Sequence, residues 1–155
     1  MIDCSGDSPD DRSTNYSERF ASVLHVSKSI DDEPALMCTR WRDGGGSAET
    51  RPLINGVENF QVLYGVDGIG PANAALPAAS TADSVVDRYL RADQLTVSDD
   101  AVTTANCQRV RSIRIGMVLR GPPGSAVDNT AQTFYPLGTA KASGSGAVGS
   151  MFADN

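Results

Sequence analysis

A chain of 155 residues is long enough for one domain with one core, and its 40% hydrophobic content is ordinary for a soluble protein. Aromatics make up only 6% and much of the apolar content is alanine, so a modest core and long loops are expected. Thirteen basic against nineteen acidic side chains give a net charge of −6, an acidic surface without a basic patch, and nucleic acid is not an expected partner.

Ser5–Tyr16 is polar, with Pro9 among Asp7, Asp10 and Asp11 and no periodicity, and reads as a loop. Phe20–Val26 sets Phe20, Leu24 and Val26 against Ala21, Val23 and His25, the period-two pattern of a strand. Ile30–Pro34 carries turn chemistry, its proline biasing Glu33 toward extended geometry. Ala35–Trp41 predicts a second short strand, and the glycines of Asp43–Ser47 a flexible connection.

Gly56–Asp67, GVENFQVLYGVD, is the most informative stretch. Phe60, Val62, Tyr64 and Val66 alternate with Asn59, Gln61, Leu63 and Gly65, which fits a half-buried pleated surface. Val57, Phe60 and Tyr64 also lie three and four apart, so a helix remains the alternative to a strand over Val57–Val66. Gly68–Ser84, rich in Gly, Pro, Ala and Ser, predicts an extended surface loop. Asp83–Leu95 predicts a short helix with an imperfect stripe of Val86, Tyr89, Leu90 and Leu95 and Asp83 as its cap. Beyond Cys107, Ile113, Ile115, Met117 and Leu119 share one face of a predicted strand, with Ser112, Arg114, Gly116 and Val118 on the other. Gly121–Gly124, GPPG, ends it, because proline donates no ladder hydrogen bond. Thr133–Leu137 predicts a last strand, and the sequence from Gly138 reads as a linker.

The expected fold is α+β, mainly antiparallel β, with four or five strands and one short helix near Asp83–Leu95. Doubly wound folds need regular βαβ crossovers, which this chain does not offer. Residues 1–137 are expected to form a single head and residues 138–155 a flexible tail.

No catalytic constellation emerges. His25 is the only imidazole and sits inside a predicted strand, where a partly exposed side chain is the expected role. Lys28 and Lys141 lie in polar stretches with nothing to depress their pKa. Gly121–Gly124 lacks the lysine and hydroxyl of a phosphate loop. The acids at Asp7, Asp10 and Asp11, and at Asp31, Asp32 and Glu33, lack the alternate spacing of a calcium loop and read as solvated. No metal ligands and no cofactor are expected. A bridge between Cys4 and Cys38 would close a loop of about 34 residues, on the order of 4 kcal/mol in the chain-entropy model. Three separate thiols in a reducing compartment are the alternative. No window reaches the roughly 20 apolar residues that span a bilayer, and no signal peptide opens the chain.

Five segments in one order, Asp3–Gly6, Glu33–Cys38, Gly56–Asp67, Val86–Tyr89 and Val110–Arg120, together resemble the PilW family of type IV pilus assembly proteins, the minor pilins. They stand as DCSG, EPALMC, GVENFQVLYGVD, VDRY and VRSIRIGMVLR. The resemblance implies a pilin-like head and a non-catalytic subunit that helps start or prime pilus assembly by packing against other minor pilins. A type II secretion pseudopilin is the near alternative. An extracellular adhesive or binding module with a patch near Trp41, Tyr64 and Tyr89 is the alternative from another class. Family members carry a hydrophobic N-terminal helix as inner-membrane anchor, which this sequence does not contain, so a fragment or a short member is expected. The isolated head is then expected to be mostly monomeric, with an exposed sheet edge.

The implied location is the periplasm and the cell-surface pilus. Export to that oxidising compartment permits a Cys4–Cys38 bond with Cys107 reduced. Relatives carry an aspartate-rich stretch resembling a calcium site between the segments that match GVENFQVLYGVD and VDRY. Here alanine and proline fill that interval between Asp67 and the pair Asp83 and Asp87, so calcium is not expected. Arg111, Arg114 and Arg120 are candidate partner contacts. Some are expected to close pairs with the acidic loops, and arginine also suits bidentate contact with carboxylates on a neighbouring subunit.

Overall fold

The structure, a computed structural model, describes residues 3–4, 6, 20–42, 48–69, 83–122, 124–125, 130–139, 149 and 151–153. The predicted loop over Ser5–Tyr16 (apart from Gly6), the connection at Asp43–Ser47 and most of the loop over Gly68–Ser84 lie outside them. Contacts divide the chain into two compact units, Met1–Phe60 with Met117–Asn129, and Gln61–Gly116 with Thr130–Asn155.

In the first unit, strand β1 (Phe20–Lys28) pairs antiparallel with β2 (Pro34–Arg42) over nine unbroken positions, from Phe20 opposite Arg42 to Lys28 opposite Pro34. The turn between them is closed by Ser29 N donating to Glu33 O at 2.8 Å and Asp32 N to Ser29 O at 3.1 Å. Asp32 adopts a φ of 60° there, a left-handed conformation that aspartate tolerates better than most residues. Strand β3 (Glu49–Asn55) lies on the other side of β2 and was not expected from the sequence, because Pro52 interrupts its pattern. Proline is accommodated at this sheet edge beside a bulge. Leu36 faces Ile54 while Met37 faces Pro52, so Leu53 is the extra residue.

The central strand holds this unit's core. Ala35, Leu36, Met37 and Cys38 are all buried, and because consecutive strand residues point to opposite faces, both faces of β2 are covered there. Cys38 is bonded to Cys4 with the Cα atoms 5.9 Å apart. Cys4 N donates to Ser22 Oγ at 3.2 Å, and Arg40 Nη1 donates to Asp3 Oδ2 at 2.9 Å. Asp3 and Cys4 are thus fixed to β1 and β2 both covalently and by polar contacts.

Strands β4 (Val57–Val66) and β6 (Val110–Leu119) each begin in one unit and end in the other. Arg120 N donates to Gly56 O at 2.8 Å and Asp67 N to Arg109 O at 3.1 Å, so the two strands run antiparallel. Strand β5 (Arg88–Leu90) pairs antiparallel with the other side of β4, Tyr64 opposite Leu90 and Val66 opposite Arg88. The helix expected over Asp83–Leu95 is therefore corrected. Asp87 N goes to Val66 O and Arg88–Leu90 joins the β4 ladder, leaving one turn of helix, α1 (Ala92–Leu95). The aspartate expected as a cap instead forms a local turn, Asp83 Oδ1 accepting from Val85 N.

A second helix, α2 (Asp100–Cys107), was not expected. Asp99 caps it, accepting from Ala101 N at 2.8 Å and Val102 N at 3.0 Å, while Thr103 and Thr104 weaken its helical signal. Buried Asn106 donates from Nδ2 to Leu95 O at 3.0 Å, tying α2 to the end of α1. Val66, Ile69, Leu90 and Leu95 form the core of the second unit, with Tyr64 and Val110 packed against them. Strands β7 (Thr133–Phe134) and β8 (Phe152–Ala153) pair with each other, so residues within the expected tail take part in a two-stranded sheet.

The architecture is mostly antiparallel β with short helices, of the expected α+β class. Among the described residues it has eight strands rather than four or five, and two helices rather than one. No helix among them is long and apolar enough to cross a membrane.

Close approaches bear on β4 and β6 at Gly65 and Gly116. A Cβ on Gly116 would lie 2.7 Å from Pro136 O and 2.8 Å from Pro136 Cβ, so the segment before Leu137 lies directly on that face of β6. A Cβ on Gly65 would meet Ser112 Oγ and would come within 3.0 Å of Tyr89 and Val86.

Gly116→Ala is expected to lower unfolding stability by about 1–3 kcal/mol in urea titrations, because a backbone neighbour cannot swing away. Replacing Cys4 and Cys38 together by alanine is expected to cost about 2–5 kcal/mol in the same measurement. A thiol count on the native protein should return one group, since Cys107 is free and exposed.

Candidate functional site

Strand β6 carries the residues from which a contact surface can be built. Alternation separates its two faces without saying which is buried, and the packing decides it. Ile113 is 61% exposed, Ile115 55%, Met117 39% and Leu119 55%, whereas Gly116 and Val118 on the opposite face are buried. The close approach of Pro136 gives the physical reason. Glycine lets a covering segment settle on its own face, and the apolar face is left open.

Three arginines accompany the strand. Arg111 Nε lies 3.3 Å from Asp67 Oδ2, and the Asp67 side chain is fully buried. The same oxygen accepts from Ser84 N at 2.9 Å. Asp87 reciprocates, its Oδ2 accepting from Gly68 N at 2.8 Å while its own N–H donates to Val66 O. Asp67 and Asp87 therefore close the base of the segment between them from both sides. Asp67 Oδ1 has no hydrogen-bond partner, which leaves part of its desolvation uncompensated.

Arg120 ion-pairs with Glu58 and, through Nη1 at 3.2 Å, with Glu33. The Glu58 hydrogen bond raises the guanidinium's pKa above its ordinary value and Glu33 adds to this. Arg114 instead sits with its guanidinium carbon 4.1 Å from the centroid of the Tyr89 ring. The candidate contacts are thus held differently, Arg111 and Arg120 on carboxylates of this chain and Arg114 on an aromatic face.

The other candidates occupy structural positions. His25 Nε2 is 2.9 Å from Thr39 Oγ1, which is 2.8 Å from Thr50 Oγ1, a polar row across β1, β2 and β3. Lys28 pairs with Asp32 at 2.8 Å. Arg40 pairs with Asp3 and Glu49, and Glu49 also takes Arg51 at 2.6 Å. Hydrogen bonds from Arg51 and then Arg40 hold the Glu49 carboxyl below its usual range. Among the described residues, no three His, Cys, Asp or Glu side chains are grouped to hold a metal ion. Asp7, Asp10, Asp11 and Lys141 lie outside them. Tyr64 packs on the second core, Tyr89 lies beneath Arg114, and Trp41 is half exposed on β2.

The structural role of Asp67 was missed from the sequence. Its local pattern, a single acid ending an apolar run, is equally the mark of a surface turn. Substituting Arg111 by methionine should cost about 2–3 kcal/mol of stability, because it leaves a buried carboxylate without its counter-charge. Arg114→Met should cost less than about 1 kcal/mol, the scale of an exposed cation–π contact. Chemical denaturation of the two variants side by side checks the ranking.

No curated protein and no solved structure matches the chain significantly. A family model described as type IV pilus-assembly protein W does match, over residues 23–152. That span runs from β1 to β8 and takes in the β2 strand, the Asp67 clip and the whole of β6. The chain belongs to the PilW family of type IV pilus-assembly proteins.

Proposed function

We propose that the chain is the head of a minor pilin, a non-catalytic subunit that helps start or prime type IV pilus assembly by packing against other minor pilins. Membership of a pilus-assembly family supplies the process. The observation that carries the finer reading is the outward apolar face of β6, with Ile113, Ile115, Met117 and Leu119 all exposed. Four large apolar side chains at alternate positions of one strand are not scattered surface residues, and a face of this kind marks a protein contact. Shape-matched burial of that face against a neighbouring subunit needs no reactive group. Among the described residues, His25 and Lys28 are held by Thr39 and Asp32, which is compatible with the same reading.

In this reading the head works in the periplasm and at the cell surface, held to the inner membrane by a hydrophobic helix outside this sequence. The Cys4–Cys38 bond fits an oxidising compartment. A type II secretion pseudopilin would use the same face within another machine, and the neighbouring genes distinguish the two. An adhesive module would act through aromatic side chains such as Trp41 instead.

Deletion of the full-length gene should abolish or sharply reduce surface pili, scored by electron microscopy. Complementation with Ile113→Asp/Ile115→Asp should fail to restore them although the head remains folded and exported, since both positions are exposed. Normal pili with lost attachment after deletion would refute the assembly role in favour of adhesion.

A further inference from the structure

The two edges of the β1-β2-β3 sheet are built differently. β3 is a guarded edge, with Pro52, a bulge at Leu53 and the charges of Glu49 and Arg51. These are the devices by which natural sheets prevent pairing with another chain. β1 has none of them. It runs nine residues in unbroken register with β2, contains no proline and no acidic residue, and its one lysine, Lys28, stands at the end in a pair with Asp32. Val23, Leu24 and Val26 are exposed along it. Among the described residues no strand is hydrogen-bonded to its outer side.

We propose that the outer edge of β1 is a homodimer seam, pairing antiparallel with β1 of a second copy about a two-fold axis at Leu24. The sequence of the strand fits a self-complementary contact. With Leu24 opposite its own copy, Val23 meets His25, Ser22 meets Val26, Ala21 meets Ser27 and Phe20 meets Lys28. No two formal charges of like sign fall opposite each other, although each chain carries a net charge of −6. A foreign strand gains nothing specific from FASVLHVSK, which has no charge pattern to read, whereas a second copy sets Leu24 against Leu24 and small Ser22 against branched Val26 on both sides of the axis. Two three-stranded sheets would join into one of six strands, β3-β2-β1-β1-β2-β3. The seam is a single strand edge with few side chains around it, so the association is weak and a dilute solution is monomeric. The inference does not depend on the subunit's place in a pilus.

Sedimentation equilibrium on the whole chain, from about 10 µM to about 1 mM, should show a monomer–dimer equilibrium with a dissociation constant on the order of 100 µM, as suits an interface below about 1,200 Å². Amide hydrogen exchange over Ala21–Lys28 should slow as concentration rises, with no such change over β3. Leu24→Lys sets two ammonium groups opposite each other at the axis and should raise the dissociation constant at least about tenfold. Leu24 is exposed, and circular dichroism with an intact Cys4–Cys38 bond verifies that this variant folds. Ile115→Lys should leave the dimer unchanged. A chain that stays monomeric at every concentration would overturn the proposal, as would a dimer insensitive to Leu24→Lys or one lost with Ile115→Lys. Protection of β1 that appears only on adding a different pilus protein would also overturn it.

Discussion

The Asp67 carboxylate is the constraint on which the second unit is built. It stands at the end of β4, fully buried, and one of its oxygens receives both the Ser84 N–H and the Arg111 guanidinium. These contacts bring the returning chain to the end of β4, where Asp87 engages Gly68 and Val66 in turn. Only then are Arg88–Leu90 in register with Tyr64–Val66, and only then does Leu90 reach Val66, Ile69 and Leu95. A carboxylate removed from water is destabilising by itself. Here it is tolerated because it fixes a strand that, at three residues, could not hold its place through its own ladder.

The first unit solves a comparable problem covalently. Its sheet has three strands, and only the middle one is buried over consecutive residues. Small apolar cores of this kind leave little margin above conformational entropy. The bond from Cys4 to Cys38 limits the unfolded chain instead of adding buried area. Around it Arg40 gathers Asp3 and Glu49. Such pairs, still partly open to solvent, orient the segment more than they stabilise it.

Glycine decides how β6 is used. A side chain at position 116 would hold the Pro136 segment away, and the strand would then present two comparable faces. With glycine there, the backbone of Pro136 fills the space on one side, and the isoleucine face stays exposed. An apolar alternation that elsewhere builds a core is here an exposed face, which the proposed assembly role would cover. Of the arginines nearby, Arg111 and Arg120 pair with carboxylates of the chain and Arg114 rests on Tyr89.

Much of this was legible from the residues alone. Period-two alternation located β1, β4 and β6 to within a few positions, because each has a run long enough for its pattern to stand out from composition, and the turn signals on either side located β2. The order of the GVENFQVLYGVD and VRSIRIGMVLR segments among weaker ones carried the family. Tertiary structure decided the rest. Strand β3 hid behind Pro52, whose missing donor is harmless only at an edge, and edges do not exist until the sheet does. Arg88–Leu90 had the local signal of a helix but took the ladder offered by β4, since a partner strand satisfies backbone groups that one short turn cannot. Which face of β6 is buried was likewise beyond local pattern. Alternation says that two faces differ, but the direction of burial depends on what else packs there, and that was set by Pro136 meeting Gly116 from twenty residues away.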